Sequence, residues 1–174
     1  NLIMKKTNIR VLTQVAMLVA LQVILSKFCS ISTDSLRIGF GFVPMVICGM
    51  LYGPLWTAAA YAVADIIGAI LIYGYANPFI TVSVALTGLG YGFFLHREEP
   101  RFFPHVVLAA GCSLFCSMII TTGTLALMYD TSFASQFIIR IPQGIGLAIA
   151  EPVLIPILLQ LGRRLRKHGL AAAV

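Results

Sequence analysis

The chain has 174 residues, of which 59% are hydrophobic and 10% charged, with a mean hydropathy of +0.96, whereas soluble domains carry about 25% charged residues. That composition excludes a soluble globular domain and implies an all-α integral membrane protein. A net charge of +6 suggests nucleic acid at first sight, but the placement of the basic residues, given below, excludes it.

Apolar runs predict six spans, 8–26, 38–52, 54–72, 78–96, 104–128 and 135–162, within a single membrane domain covering 1–174. Gly-Pro, Asn-Pro or charged breaks divide them. The basic stretch ahead of the first span resembles a signal peptide, but no small-residue cleavage site follows, so the span is read as a retained helix. Within it, Ala16 and Ala20 form a small-xxx-small pair. Such a pair lets a second membrane helix approach closely, or packs inside its own bundle.

The second span reaches only ~22 Å at 1.5 Å per residue. It is expected to start late, near Pro44, because proline is well tolerated in a first helical turn. Residues 27–43 then form a loop. Irregular backbone at membrane depth needs protein cover or a cavity beside it, so this loop should dip into the bundle. Gly39 and Gly41 would let it bend and approach a ligand closely. Gly53-Pro54 supplies the turn into the third span.

Asp65 lies eleven residues into that third span, ~16 Å deep, with Tyr61 and Gly68 on the same face. A buried carboxylate there either accepts N–H bonds from an aminopyrimidine-type ring or pairs with an arginine. The connection IYGYANPF follows. Tyr73, Tyr75 and Phe79 could stack on a flat ring while the Asn77 amide bonds its edge, or the tyrosines are ordinary interfacial residues. Phe40 and Phe42 carry the same two readings. In the fifth span Cys112 and Cys116 share a helix face; with Cys29 and Cys48 they show no zinc or redox spacing and read as inert thiols. The sixth span opens RIPQG, with Arg140 and Gln143 one turn apart. A buried amide needs a partner, which favours Gln143 as a ligand contact. Glu151, in the other half of that span, reads as a structural partner outside the ligand site.

With the N-terminus inside, nine of the twelve basic residues fall on the cytoplasmic side: Lys5, Lys6, Arg10, Arg97, Arg101, Arg163, Arg164, Arg166 and Lys167. This asymmetry predicts six crossings with both termini cytoplasmic. Lys27, Arg37 and Arg140 remain at one outer level. Together they would trap an anion, arginine gripping a carboxylate through two parallel hydrogen bonds, while snorkelling to headgroups is the other reading, above all for Lys27.

RIGFGFVP after the long first loop, the short second span ending GMLYGP, ADIIG around Asp65, RIPQG and the Ala16/Ala20 pair resemble the S components of energy-coupling factor (ECF) vitamin transporters, of the folate-specific type. The resemblance implies a six-helix, folate-binding membrane subunit, multi-pass in a bacterial cell membrane. It implies partners: a transmembrane coupling protein (T component) docking on Ala16 and Ala20, and two ATPase subunits. No cofactor, metal or catalysis is expected; the chain has no Walker A sequence and no nucleophile–base pair. Folate-binding positions are then Arg37, Arg140, Asp65, Gln143, Asn77, Lys27, Tyr73, Tyr75 and Phe40, with Arg37 closing the lid over the anionic end. An S component for biotin or pantothenate, an intramembrane enzyme and a structural membrane subunit are the rival readings.

Overall fold

The computed structural model describes residues 9–27, 30–32, 37–96 and 102–167. Its surface is apolar where a soluble protein's would be polar: Leu55, Leu71, Phe93, Ile138 and Ile149 are each more than 60% exposed, while Glu151 and Arg140 are buried. Lipid is the solvent that fits this inversion, since a charge facing hydrocarbon is costly and an apolar side chain facing it is not.

Among the described residues there are six helices: α1 (Ile9–Lys27), α2 (Phe42–Tyr52), α3 (Pro54–Tyr73), α4 (Pro78–Leu95), α5 (102–128) and α6 (Phe133–Lys167). The expected all-α architecture is therefore observed, with four helices long and apolar enough to cross a membrane and two shorter apolar ones, α1 and α2.

One stretch differs from expectation. Residues 37–39 do not begin the second helix; they form strand β2 (Arg37–Gly39), paired antiparallel with β1 (Ser30–Ser32) in the register Ser32↔Arg37 and Ser30↔Gly39. The ribbon supplies backbone hydrogen-bond partners that a bare loop at membrane depth would lack. α2 starts late, as its proline indicated, with Pro44 in its first turn. α2 by itself is shorter than the hydrocarbon layer and is not built to face lipid: nine of its eleven residues are buried, among them Met45, Val46 and Cys48 at the centre of the core. It packs against α1, α3, α4 and α6.

Gly53 joins α2 to α3 with φ +86, a backbone conformation that favours glycine, and Pro54 then opens α3. A Cβ on Gly92 of α4 would run into the Pro54 backbone, so the two elements touch main chain to main chain. At the opposite end, Gly74 closes α3 in the left-handed conformation, and Asn77 caps α4 by accepting the Phe79 N–H at 2.9 Å.

α5 is not regular. Cys116–Thr121 winds as a π-helix between Phe102–Phe115 and Thr122–Met128. Two side chains support the wide turn from inside: the Ser83 hydroxyl donates to the Cys116 carbonyl at 2.9 Å, and Thr121 Oγ1 donates to the same oxygen at 3.4 Å. An inserted residue rotates everything beyond it, and such bulges are frequent at functional sites. α6 contains Pro142, Pro152 and Pro156, each of which removes a backbone donor.

Candidate functional site

Inside the bundle is a cavity of about 260 Å³, bounded by residues of α1, β2, α2, α3, α4, α5 and α6. The hairpin end holds the ribbon, the start of α4 and the end of α5; the deep end lies toward the α2–α3 turn. Gly39 and Gly41 line the cavity beneath the ribbon. A Cβ on Gly41 would meet the Ser26 Cβ at 2.7 Å, so glycine there lets the start of α2 pack closely on α1. Gly41 itself is right-handed, with φ −61, and the requirement is one of space, not of torsion.

Arg140 is 3% exposed on the cavity wall. Its Nη1 donates to Thr122 Oγ1 at 3.2 Å, its Nη2 to Ser117 Oγ at 3.4 Å and its Nε to Gln143 Oε1 at 3.3 Å. Ser117 belongs to the π-wound segment and Thr122 follows it immediately. The irregular winding thus provides the cradle in which the guanidinium sits. Gln143, expected as a ligand contact, also holds Arg140 in place, accepting from Nη2 at 3.3 Å as well.

Asp65 lines the cavity half-buried, its Oδ2 accepting the Thr81 hydroxyl at 3.0 Å. Tyr61 and Ala69, one turn to either side of it, line the same wall, whereas Gly68 is buried outside the lining. Tyr75 and Asn77 are also part of the wall. Asn77 has structural duties: Oδ1 caps α4, and Nδ2 donates to the Met128 sulfur, tying α4 to α5.

Phe40 is 54% exposed and stands outside the lining, while Phe42 is buried within it. The two lie on either side of the junction where the ribbon becomes a helix, and only the first residue of α2 turns inward. Phe79 is 70% exposed, also outside the lining. Arg37 is on β2, which lies against α6, the helix of Arg140. Lys27 is the last residue of α1 and Tyr73 the last of α3. The side chains of Lys27, Arg37 and Tyr73 lie outside the described residues.

Several lining residues escape a reading of the sequence. Gln22 is 5% exposed on α1, and Tyr129 stands at the hairpin end. Glu151, expected as a structural partner outside the site, is instead wholly buried in the cavity wall, and its Oε1 accepts hydroxyls from Tyr91 at 2.8 Å and Ser113 at 2.7 Å, two partners the sequence did not indicate. Three polar residues within three apolar helices were the available sign, but nothing in their spacing shows that they meet.

On the outside of the bundle, Ala16 and Ala20 are exposed and line an almost wholly apolar groove between α1 and α3, with Trp56, Val63 and Ile67 on its far side.

A family model for the S component of ECF-type riboflavin transporters matches residues 6–162. The folate transporter FolT of Clostridium novyi is 28% identical over 156 residues, covering 88% of this chain and 85% of the relative. FolT of Leuconostoc mesenteroides is 31% identical over 133 residues, covering 73% and 69%. FolT of Streptococcus mutans is 31% identical over 135 residues, covering 72% of each. Among solved structures, FolT bound with folic acid is similar at a TM-score of 0.74 and 29% identity, covering 88% of this chain and 92% of that one. An S component for biotin is similar at a TM-score of 0.67 over 94% of each chain, but at 15% identity this shows the shared fold alone.

Proposed function

The chain belongs to the S components of ECF-type transporters, and from that premise we propose that it captures folate in its internal cavity and delivers it through a coupling module. The matching family model is named for riboflavin, while the relatives at 28–31% identity are folate transporters. A shared scaffold leaves the ligand open, and the site must choose it. The observation that carries folate is the buried Arg140 guanidinium in a wall that also presents Phe42, Tyr61, Tyr75 and Tyr129. A cation among aromatic faces suits a flat ring joined to carboxylates.

In this reading Arg140 and Arg37 hold the glutamate end, β2 bringing Arg37 to the helix that carries Arg140. Asp65, Gln143, Asn77 and Tyr75 complete the wall, and Lys27, Tyr73 and Phe40 are kept as further folate-binding positions of the proposal. The Ala16/Ala20 groove receives the T component, because small side chains allow a second helix to approach closely. Two ATPase subunits supply the energy, and this chain performs no catalysis. Both termini face the cytoplasm of a bacterial cell, the side on which nine of its twelve basic residues fall.

Calorimetry on the purified chain with folate, riboflavin, biotin and pantothenate tests the ligand. Folate is expected to bind and the others not; riboflavin binding in the absence of folate binding overturns the proposal.

A further inference from the structure

Two acceptors in the cavity wall have no hydrogen-bond partner among the described residues: Gln22 Oε1 and Glu151 Oε2. Gln22 is an amide, which presents a donor or an acceptor according to how it is turned. Glu151, as a carboxylate, presents acceptors only. Its Oε1 is held by the Tyr91 and Ser113 hydroxyls, so the carboxylate is fixed and both lone pairs of Oε2 stay open, in a residue with no exposure. A buried acceptor has given up water, and a donor arriving with the ligand would restore the hydrogen bond that Oε2 lacks.

Its position along α6 is informative. Glu151 is eleven residues from Arg140, ~16 Å along the helix and within ~20° of the same face. The cavity therefore has a cationic station and, one extended ligand away, an anionic one. Asp65 does not provide the second station. It lies eight residues from the hairpin end of α3 and Arg140 seven from that end of α6, ~12 and ~10 Å down, so the two share a level.

Resting on the folate reading above, we propose that Glu151 Oε2 accepts the N–H groups of the pterin aminopyrimidine edge. Folate then lies along α6 with its pterin at the deep end and its glutamate at Arg140. Tyr91 and Ser113 are positioning residues that aim the carboxylate.

The test is a binding cycle by calorimetry, using folate and its 2-desamino analogue on the wild type and on Glu151→Gln. The substitution keeps the side chain's shape and its acceptor for the two hydroxyls but turns the open acceptor into a donor. Folate binding is expected to weaken about ten- to hundredfold, with the analogue, already weakened in the wild type and left with only its N3–H facing Oε2, losing less from the same substitution. Tyr91→Phe frees the carboxylate to rotate and should give a smaller loss with the same selectivity; it serves also where Glu151→Gln does not fold. Unchanged folate binding, or losses that are additive across the cycle, overturn the assignment. A wild type that does not bind folate overturns the folate reading itself, which separates the two failures.

Discussion

In the proposed folate site, Arg140 is the residue assigned to the anionic end. Removing one partner of a buried, hydrogen-bonded charge pair costs about 2–5 kcal/mol, roughly thirtyfold to several-thousandfold in affinity. Arg140→Ala is therefore expected to weaken folate binding by that factor and to weaken pteroate, which lacks the glutamate, much less. Arg140→Lys should recover only part of the loss, because an ammonium cannot reach Thr122, Ser117 and Gln143 in the forked geometry and also grip a carboxylate. Calorimetry with both ligands reads the difference; equal penalties for folate and pteroate would place the glutamate elsewhere. Arg140, Gln143 and Asp65 were legible in the sequence because a polar group inside an apolar span is conspicuous. What they bond to was not legible: Ser117 and Thr122 are ordinary polar residues until the π-wound turn places them under the guanidinium.

At the scale of elements, two close approaches make opposite predictions. Gly92 of α4 meets the Pro54 backbone inside the bundle. Gly92→Ala must separate α4 from the α2–α3 turn and is expected to cost about 1–3 kcal/mol, seen as a lowered Tm of the purified chain. Gly111, which has open space where its Cβ would be, is the control, and Gly111→Ala should leave the Tm unchanged or raise it. Ala16 and Ala20, by contrast, lie on an outer groove. Replacing both with Leu adds volume on a lipid-compatible surface, so folate binding should persist while uptake with the coupling module fails. Loss of binding as well would mean that the pair packs within the chain's own bundle. Gly53-Pro54 and Asn77-Pro78 mark helix starts locally, and α3 and α4 begin at those prolines. The ribbon was not read, because a three-residue pairing depends on what covers it and not on its own pattern.

For the whole molecule, sidedness is the claim that basic-residue placement makes. In a cysteine-free background, a cysteine at Thr131 should react with an impermeant thiol reagent from outside the cell, and one at Glu98 only from inside. Reversal at Thr131 would contradict the proposed orientation. Membrane embedding and helix number were determined by the sequence alone, because the cost of placing charge in hydrocarbon acts residue by residue and leaves its record in composition and spacing; the S-component character came from the resemblance of its motifs, not from that record. The tertiary structure decided three further things: that α2 is a buried core helix, that Phe42 and not Phe40 lines the cavity, and that Glu151 meets Tyr91 and Ser113 in its wall. Those outcomes depend on which helix faces turn toward one another across separations of up to sixty residues, and a linear pattern of apolar residues, nearly uniform around helices bathed in lipid, carries little information about which face turns inward.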